Sequence, residues 1–204
     1  LQYKTRRNVS PKGKPRVYFA CYGDDFKYFD SICEEILKIN DCAIWYLDED
    51  DRDGDFIESL KGMQLMVMPV TKKLLTEEND VLNIDFKIAK ENHIPILPLM
   101  MESGLEAVYS LPNRFGSLQY LNPFSSDMTE IPYEQKLEQF LESVLIRDEL
   151  ARRIRDAFDA YIFLSYRKKD RRYANSLMKL IHNHPECRDI AIWFDEFLTP
   201  GQSF

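Results

Sequence analysis

From residue 17 onward, short apolar runs alternate with stretches whose apolar residues recur every three or four positions. That alternation predicts strands separated by amphipathic helices, the pattern of an α/β fold on a parallel sheet. VYFACY (17–22) predicts a buried strand, and Phe26, Phe29, Ile32, Cys33, Ile36 and Leu37 then fall at helical spacing. CAIWYL (42–47) predicts a second strand, and FIESLKG (56–62) a short helix stopped by Gly62. MQLMVMPV (63–70) is a third strand, and 72–92 a helical stretch in two pieces with Leu82, Phe86 and Ala89 on one face. IPILPLMM (94–101) and the weaker SLQYLN (117–122) are the fourth and fifth strands. Pro132 opens a long helix whose stripe runs through Leu137, Phe140, Leu141, Val144 and Leu145, then Leu150, Ile154 and Phe158. Its 146–158 portion is expected to connect a first domain, 17–145, to a second beginning at 159.

An internal repeat organises these elements. VYFACY at 17–22 matches YIFLSY at 161–166, and CAIWYLDED at 42–50 matches IAIWFDEF at 190–197. The only two tryptophans, Trp45 and Trp193, fall on each other. The offset is 144 for the first block and 148 for the second, which places a small insertion between them. Such a repeat predicts two copies of one architecture, although two unrelated buried strands of similar composition would look alike over so few residues.

The second copy carries a resemblance. FLSYRKKD (163–170) followed by DIAIWFDEFLTPGQSF (189–204) resembles the start of a TIR (Toll/interleukin receptor) domain, and the bacterial branch in particular. In that family the first strand ends in a Phe-x-Ser-Tyr motif, here Phe163, Ser165 and Tyr166. The second strand runs into an acidic residue and the BB loop, which closes on Pro-Gly, here Asp195 with Pro200 and Gly201. The first copy resembles a diverged TIR domain: it keeps Trp45 and Asp48, but has Cys21 and Gly23 in place of Ser and Arg, and DEDDRDGD (48–55) without Pro-Gly.

The resemblance implies a flavodoxin-like three-layer sandwich around a five-stranded parallel sheet in the order 2-1-3-4-5. Ligands of such sheets bind at the carboxyl ends of the strands, which makes Tyr22, Asp48, Tyr166, Arg167 and Asp195 the candidate ligand-binding residues. Glu196, Phe197, Pro200 and Gly201 belong to the candidate interaction loop, and other TIR domains, including copies of this chain, are the implied partners. Many TIR domains cleave NAD at the nicotinamide bond, so NAD is an implied substrate and no bound cofactor is expected. Cleavage passes through an oxocarbenium-like ribose, which a nearby carboxylate stabilises. The family uses a Glu on the helix after the third strand. In the first copy that helix is VLNIDFKIAK (81–90), and the matching acid is Asp85, one methylene shorter. Read without the resemblance, Asp85 is an isolated helix carboxylate of the kind usually solvated. In the second copy the chain reaches Phe204 before any third strand.

Charge narrows the partners. Residues 1–16 hold six basic side chains and no acid, so the net −7 leaves −13 on residues 17–204. An acidic body disfavours nucleic acid, whose phosphates need a basic face. The basic leader 1–16 reads as a solvated tail. No apolar run approaches the roughly 18 residues of a membrane span. The four cysteines form no CxxC pair, which fits a reducing cytoplasm. Other chemistries fit poorly. Asp24 and Asp25 imitate a receiver-domain acidic pair, but MQLMVMPVTKK offers no phospho-accepting Asp. Glu49, Asp51, Asp53 and Gly54 start a calcium loop that Leu60 fails to close. His182, His184 and Cys187 lack a fourth zinc ligand, and no His or acid is spaced to activate Ser165. Two functions of different class remain: an NAD-cleaving effector whose second domain is the active one, and a non-catalytic assembly module.

Overall fold

A computed structural model of the chain describes residues 1–47, 52–111, 115, 118–125, 131–145, 160–164, 170–187 and 190–194. The described residues fall into two compact units, one within 1–146 and one within 147–199.

The first unit is an α/β sandwich. Its strands are β1 (Gln2–Thr5), β2 (Arg16–Phe19), β3 (Ala43–Tyr46), β4 (Leu65–Val70) and β5 (Ile96–Met100), in the spatial order β1-β3-β2-β4-β5. Strands β3, β2, β4 and β5 are mutually parallel, with Tyr18 opposite Trp45 and Met66, whereas β1 runs antiparallel to β3. All six residues of β4 are buried, as expected for a parallel strand covered on both faces. Successive side chains of β2 alternate between the faces. Tyr18 and Ala20 join Met66, Met68, Phe56, Leu74 and Ala89 on one side, beneath α2 (Gly54–Lys61), α3 (Lys72–Thr76) and α4 (Phe86–Glu91). Val17 and Phe19 join Val67, Ile36 and Phe140 on the other, beneath α1 (Phe29–Ile39) and, beyond the short α5 (Glu106–Tyr109), α6 (Tyr133–Val144).

Three sequence expectations are corrected here. The all-parallel order 2-1-3-4-5 is replaced by a mixed sheet, because the basic leader is partly a strand. Its residues pair as Tyr3 with Trp45 and Lys4 with Ile44, and Tyr3 packs on the Trp45 ring at 5.0 Å between centroids. Among the described residues, the expected fifth strand is reduced to a single parallel bridge, Leu99 to Leu121. The long helix ends at Val144: Leu145 leaves helical geometry (φ −92, ψ 73), is buried, and its carbonyl accepts from Asn40 Nδ2 at 3.4 Å. Pulling Leu145 into the core outweighs the continuing apolar period. The connecting segment 146–158 lies outside the described residues.

Local signals account for the helix starts. Asp53 is the N-cap of α2, its Oδ1 accepting from the Phe56 backbone N–H at 2.8 Å, and Gly62 follows the last turn. Asp53→Ala is expected to cost about 1 kcal/mol, read as a lower urea midpoint with an unchanged m-value. The start of α4 is less regular. Val81–Asp85 form a π-helical turn before Phe86, and Asp85, its last residue, reaches the Tyr18 hydroxyl on the central strand β2.

The described residues of the second unit form one βαβ crossover. Strands β6 (Ala160–Leu164) and β7 (Ile190–Phe194) pair in parallel and are linked by α7 (Arg171–Asn183) and a 3-10 turn, Pro185–Cys187. Phe163 lies opposite Trp193 where Tyr18 lies opposite Trp45. By strand register the first blocks of the repeat therefore match one residue further along than their letters suggest.

Candidate functional site

The carboxyl ends of β2 and β3, where crossover connections leave β2 and β4 in opposite directions, frame a cavity of about 470 Å3. Ligand cavities of doubly wound sheets lie in this position, and the volume is of ligand size. Tyr18 and Phe19 of β2, Cys21 and Tyr22 after it, Tyr46 at the end of β3, and Arg52 line it on the strand side. Glu78, Asn79, Asp80 and Asn83 close the helical side. A wider cleft of about 770 Å3 abuts it across Glu78, Asn79 and Asn83, with Leu82, Phe86 and Phe115 as its apolar lining. The smaller cavity is the better candidate because buried charge lies directly behind its wall.

That charge is Asp85. It is 0% exposed, so the sequence-based picture of a solvated helix acid does not hold. Arg52 Nε donates to Asp85 Oδ1 at 2.8 Å and Nη2 to Oδ2 at 3.1 Å, while the Tyr18 hydroxyl donates to Oδ2 at 2.9 Å. The Arg52 side chain is 7% exposed and its guanidinium lies 5.9 Å from the centre of the Phe56 ring. Asp85 does not line the cavity, but both of its partners do. Burial pushes the Asp85 carboxyl above the usual carboxylate range, and Arg52 and Tyr18 oppose that only in part. The Arg52 guanidinium is itself held more firmly protonated by Asp85, against its own desolvation. The pair is thus uneven: the carboxyl is a poorer anion than usual, and the guanidinium a firmer cation. Desolvation decides for the fully enclosed carboxylate, and the arginine is charged at any pH of interest. Burial, with Asp85 beside it, also raises the Tyr18 phenol well above its ordinary value.

A second polar cluster borders the same strand ends. Asp25, 4% exposed, accepts from the Thr71 hydroxyl at 2.7 Å, and Thr71 Oγ1 also accepts from the Leu74 N–H to cap α3. Burial raises the Asp25 carboxyl, opposed by the Thr71 hydrogen bond. Asp24 pairs with Lys73 at 3.1 Å, and the Tyr22 hydroxyl donates to Glu77 at 3.0 Å. The receiver-like acids are therefore engaged in tying β2 to α3. Cys21 lines the cavity as a thiol that burial pushes up to about 12, which suits a packing residue better than a nucleophile.

Of the ten residues proposed from sequence, Tyr22 lines the cavity and Asp85 lies behind its wall. The other eight, Asp48, Tyr166, Arg167, Asp195, Glu196, Phe197, Pro200 and Gly201, lie outside the described residues. Arg52 gives no signal in the sequence because it stands inside an acidic run, 33 positions from its partner. Among the described residues, no group of three or more His, Cys, Asp or Glu is arranged to hold a metal ion. Cys187 Sγ lies 4.0 Å from His184 Nδ1 just after α7. No described helix is long and apolar enough to cross a membrane.

Fold and cavity together define an α/β domain of doubly wound type with a ligand-sized cavity backed by a sealed ion pair. No protein-family model matches the chain, and no curated protein matches it in sequence.

Proposed function

We propose that the chain belongs to a TIR-like effector or signalling protein in which the first unit is a non-catalytic companion. In this reading NAD cleavage falls to a second TIR-like domain whose first strand and BB-loop motifs are Phe163, Ser165, Tyr166, Asp195, Pro200 and Gly201. The observation that carries the first half is the closure of Asp85. A carboxylate that stabilises a developing ribosyl cation must face the substrate, and a displacement of about 1 Å can cost about 100-fold in rate. Asp85 instead has both oxygens occupied by Arg52 and Tyr18 and no surface toward the cavity. The flavodoxin-like assignment rests on the parallel β3-β2-β4-β5 core with helices on both faces. A cytoplasmic setting fits four free thiols, two of them buried.

Incubating the 204-residue chain with NAD and following nicotinamide by chromatography tests the reading. Release is expected to stay at the level of a protein-free control, with Asp85→Ala no different. Robust turnover that vanishes in Asp85→Ala would overturn it, and Asp85→Glu should then raise the rate. A second reading, assembly without catalysis in either unit, draws on the same closed site. It differs in expecting no turnover from any longer form of the protein.

A further inference from the structure

Helix α7 carries an exposed apolar strip. Tyr173, Leu177 and Leu180, spaced i, i+4, i+7, are 75%, 43% and 71% exposed, whereas Ala174 on the neighbouring face is 5% exposed. Residues of that spacing form one continuous ridge, the form in which helices present anchors to a partner. Single exposed apolar residues are common on any surface, but three in one row on one helix are not scattered.

The internal repeat indicates what covers such a ridge. By the register of the first strands, Tyr173, Leu177 and Leu180 correspond to Tyr28, which immediately precedes α1, and to Ile32 and Glu35 within it. In the first unit the Ile32 and Glu35 part of that strip faces α6. Tyr133 Oη donates to Glu35 Oε2 at 3.2 Å, and Leu137, Phe140 and Leu141 of α6 are buried in the same core as Ile32. At the position of Glu35, which stays exposed beside α6, α7 has a leucine, so its strip is the more apolar of the two. Charge points the same way. From 171 to 183, α7 contains Arg171, Arg172 and Lys179 and no acid, whereas α6 presents Glu134, Glu138 and Glu142 on its exposed side.

We propose that the Tyr173–Leu177–Leu180 ridge is a docking surface for an amphipathic helix of the α6 kind, with an apolar Leu-x-x-Phe-Leu seam and acidic flanks. The inference rests on the repeat and on α7 alone, and stands whether or not the chain or its relatives cleave NAD. The seam packs over Leu177 and Leu180, and the glutamates approach Arg172 and Lys179, so association is strongest at low salt.

The test is the fluorescence anisotropy of a labelled peptide of residues 131–145, IPYEQKLEQFLESVL, titrated with the whole 204-residue chain. Saturable binding is expected, weakened about tenfold or more by Leu180→Glu or Tyr173→Glu, the effect of removing one apolar anchor. Leu180→Met should retain it, and added salt should reduce it. Both residues are exposed, so circular dichroism and thermal midpoint should match the parent chain and separate lost docking from lost folding. Absence of binding, or binding that the Glu substitutions leave untouched, would overturn the proposal. Self-association through α7, abolished by the same substitutions and with no peptide uptake, would give the ridge to a second copy and equally overturn it.

Discussion

Arg52→Met is expected to destabilise the first unit by about 3–5 kcal/mol at pH 8, the usual cost of stripping one partner from a buried ion pair. Methionine keeps an apolar stem of similar reach but not the guanidinium that lies 5.9 Å from the Phe56 ring, so the loss combines the ion pair with that cation–π contact. The substitution leaves a carboxylate that is 0% exposed with one neutral donor, Tyr18, where it had a bidentate cation as well. The carboxyl of Asp85 is already raised by burial, and without Arg52 it rises further. A carboxyl whose folded-state pKa exceeds its unfolded value binds its proton more tightly when folded. Its favourable contribution is present below the unfolded pKa and is lost as pH rises through the folded one. The variant should therefore be least stable in alkali and recover on acidification, as the enclosed group becomes a neutral acid that can hydrogen-bond to Tyr18. Urea denaturation at pH 8 and pH 5 should show a clearly smaller deficit at the lower pH. Adding Asp85→Asn to Arg52→Met should restore part of the loss at pH 8, since a neutral amide needs no counter-ion. A deficit below about 1 kcal/mol, or one indifferent to pH, would mean that Asp85 finds water or another partner when Arg52 is gone.

The layered core was legible in the amino-acid order because burial on two faces demands unbroken apolar runs. MQLMVMPV and IPILPLMM could be little else, and they became β4 and β5. The site was half legible. Asp85 could be placed on the helix after the third strand, but whether it faced solvent or protein depended on a π-helical turn and on an arginine from another loop. Neither has a local signature: the π turn slips the helical phase by about one residue without any residue type that marks it, and a lone Arg among acids looks like a solvated charge. The helix ending at Val144 misled for a related reason. Apolar periodicity reports which residues could face a core, while the end of a helix is decided by where the chain is pulled, here by Leu145 and the amide of Asn40. The leader failed differently. An edge strand draws its stability from backbone pairing along one side, so four residues as polar as QYKT can form one without any apolar alternation.

Removing that strand is the second large effect. Deleting residues 1–9 is expected to lower stability by more than Arg6→Ala alone, which should cost about 1–2 kcal/mol. Arg6 grips the end of α1 from the turn after β1. Its Nε donates to the Leu37 carbonyl at 2.7 Å, and its Nη2 donates to the Leu37 carbonyl and to the Lys38 carbonyl at 3.0 Å. A cation is therefore set against the carbonyl end of the helix, where it satisfies acceptors that have no partner within the helix. The longer deletion also removes the pairing of Gln2 to Thr5 with β3, the Lys4–Asp30 ion pair at 2.7 Å, and the Tyr3 ring that lies on Trp45. The ion pair contributes least, since Asp30 is 81% exposed and the pair is screened by solvent. The bared β3 edge contributes most to the outcome, because Ile44 and Trp45 would line an unpaired strand open to another chain. Light scattering should show association that rises with concentration, and in a Trp193→Phe background the emission of Trp45 should shift to the red as its cover is lost. A deletion that stays monomeric, with unchanged emission and urea midpoint, would return residues 1–9 to the status of a solvated tail.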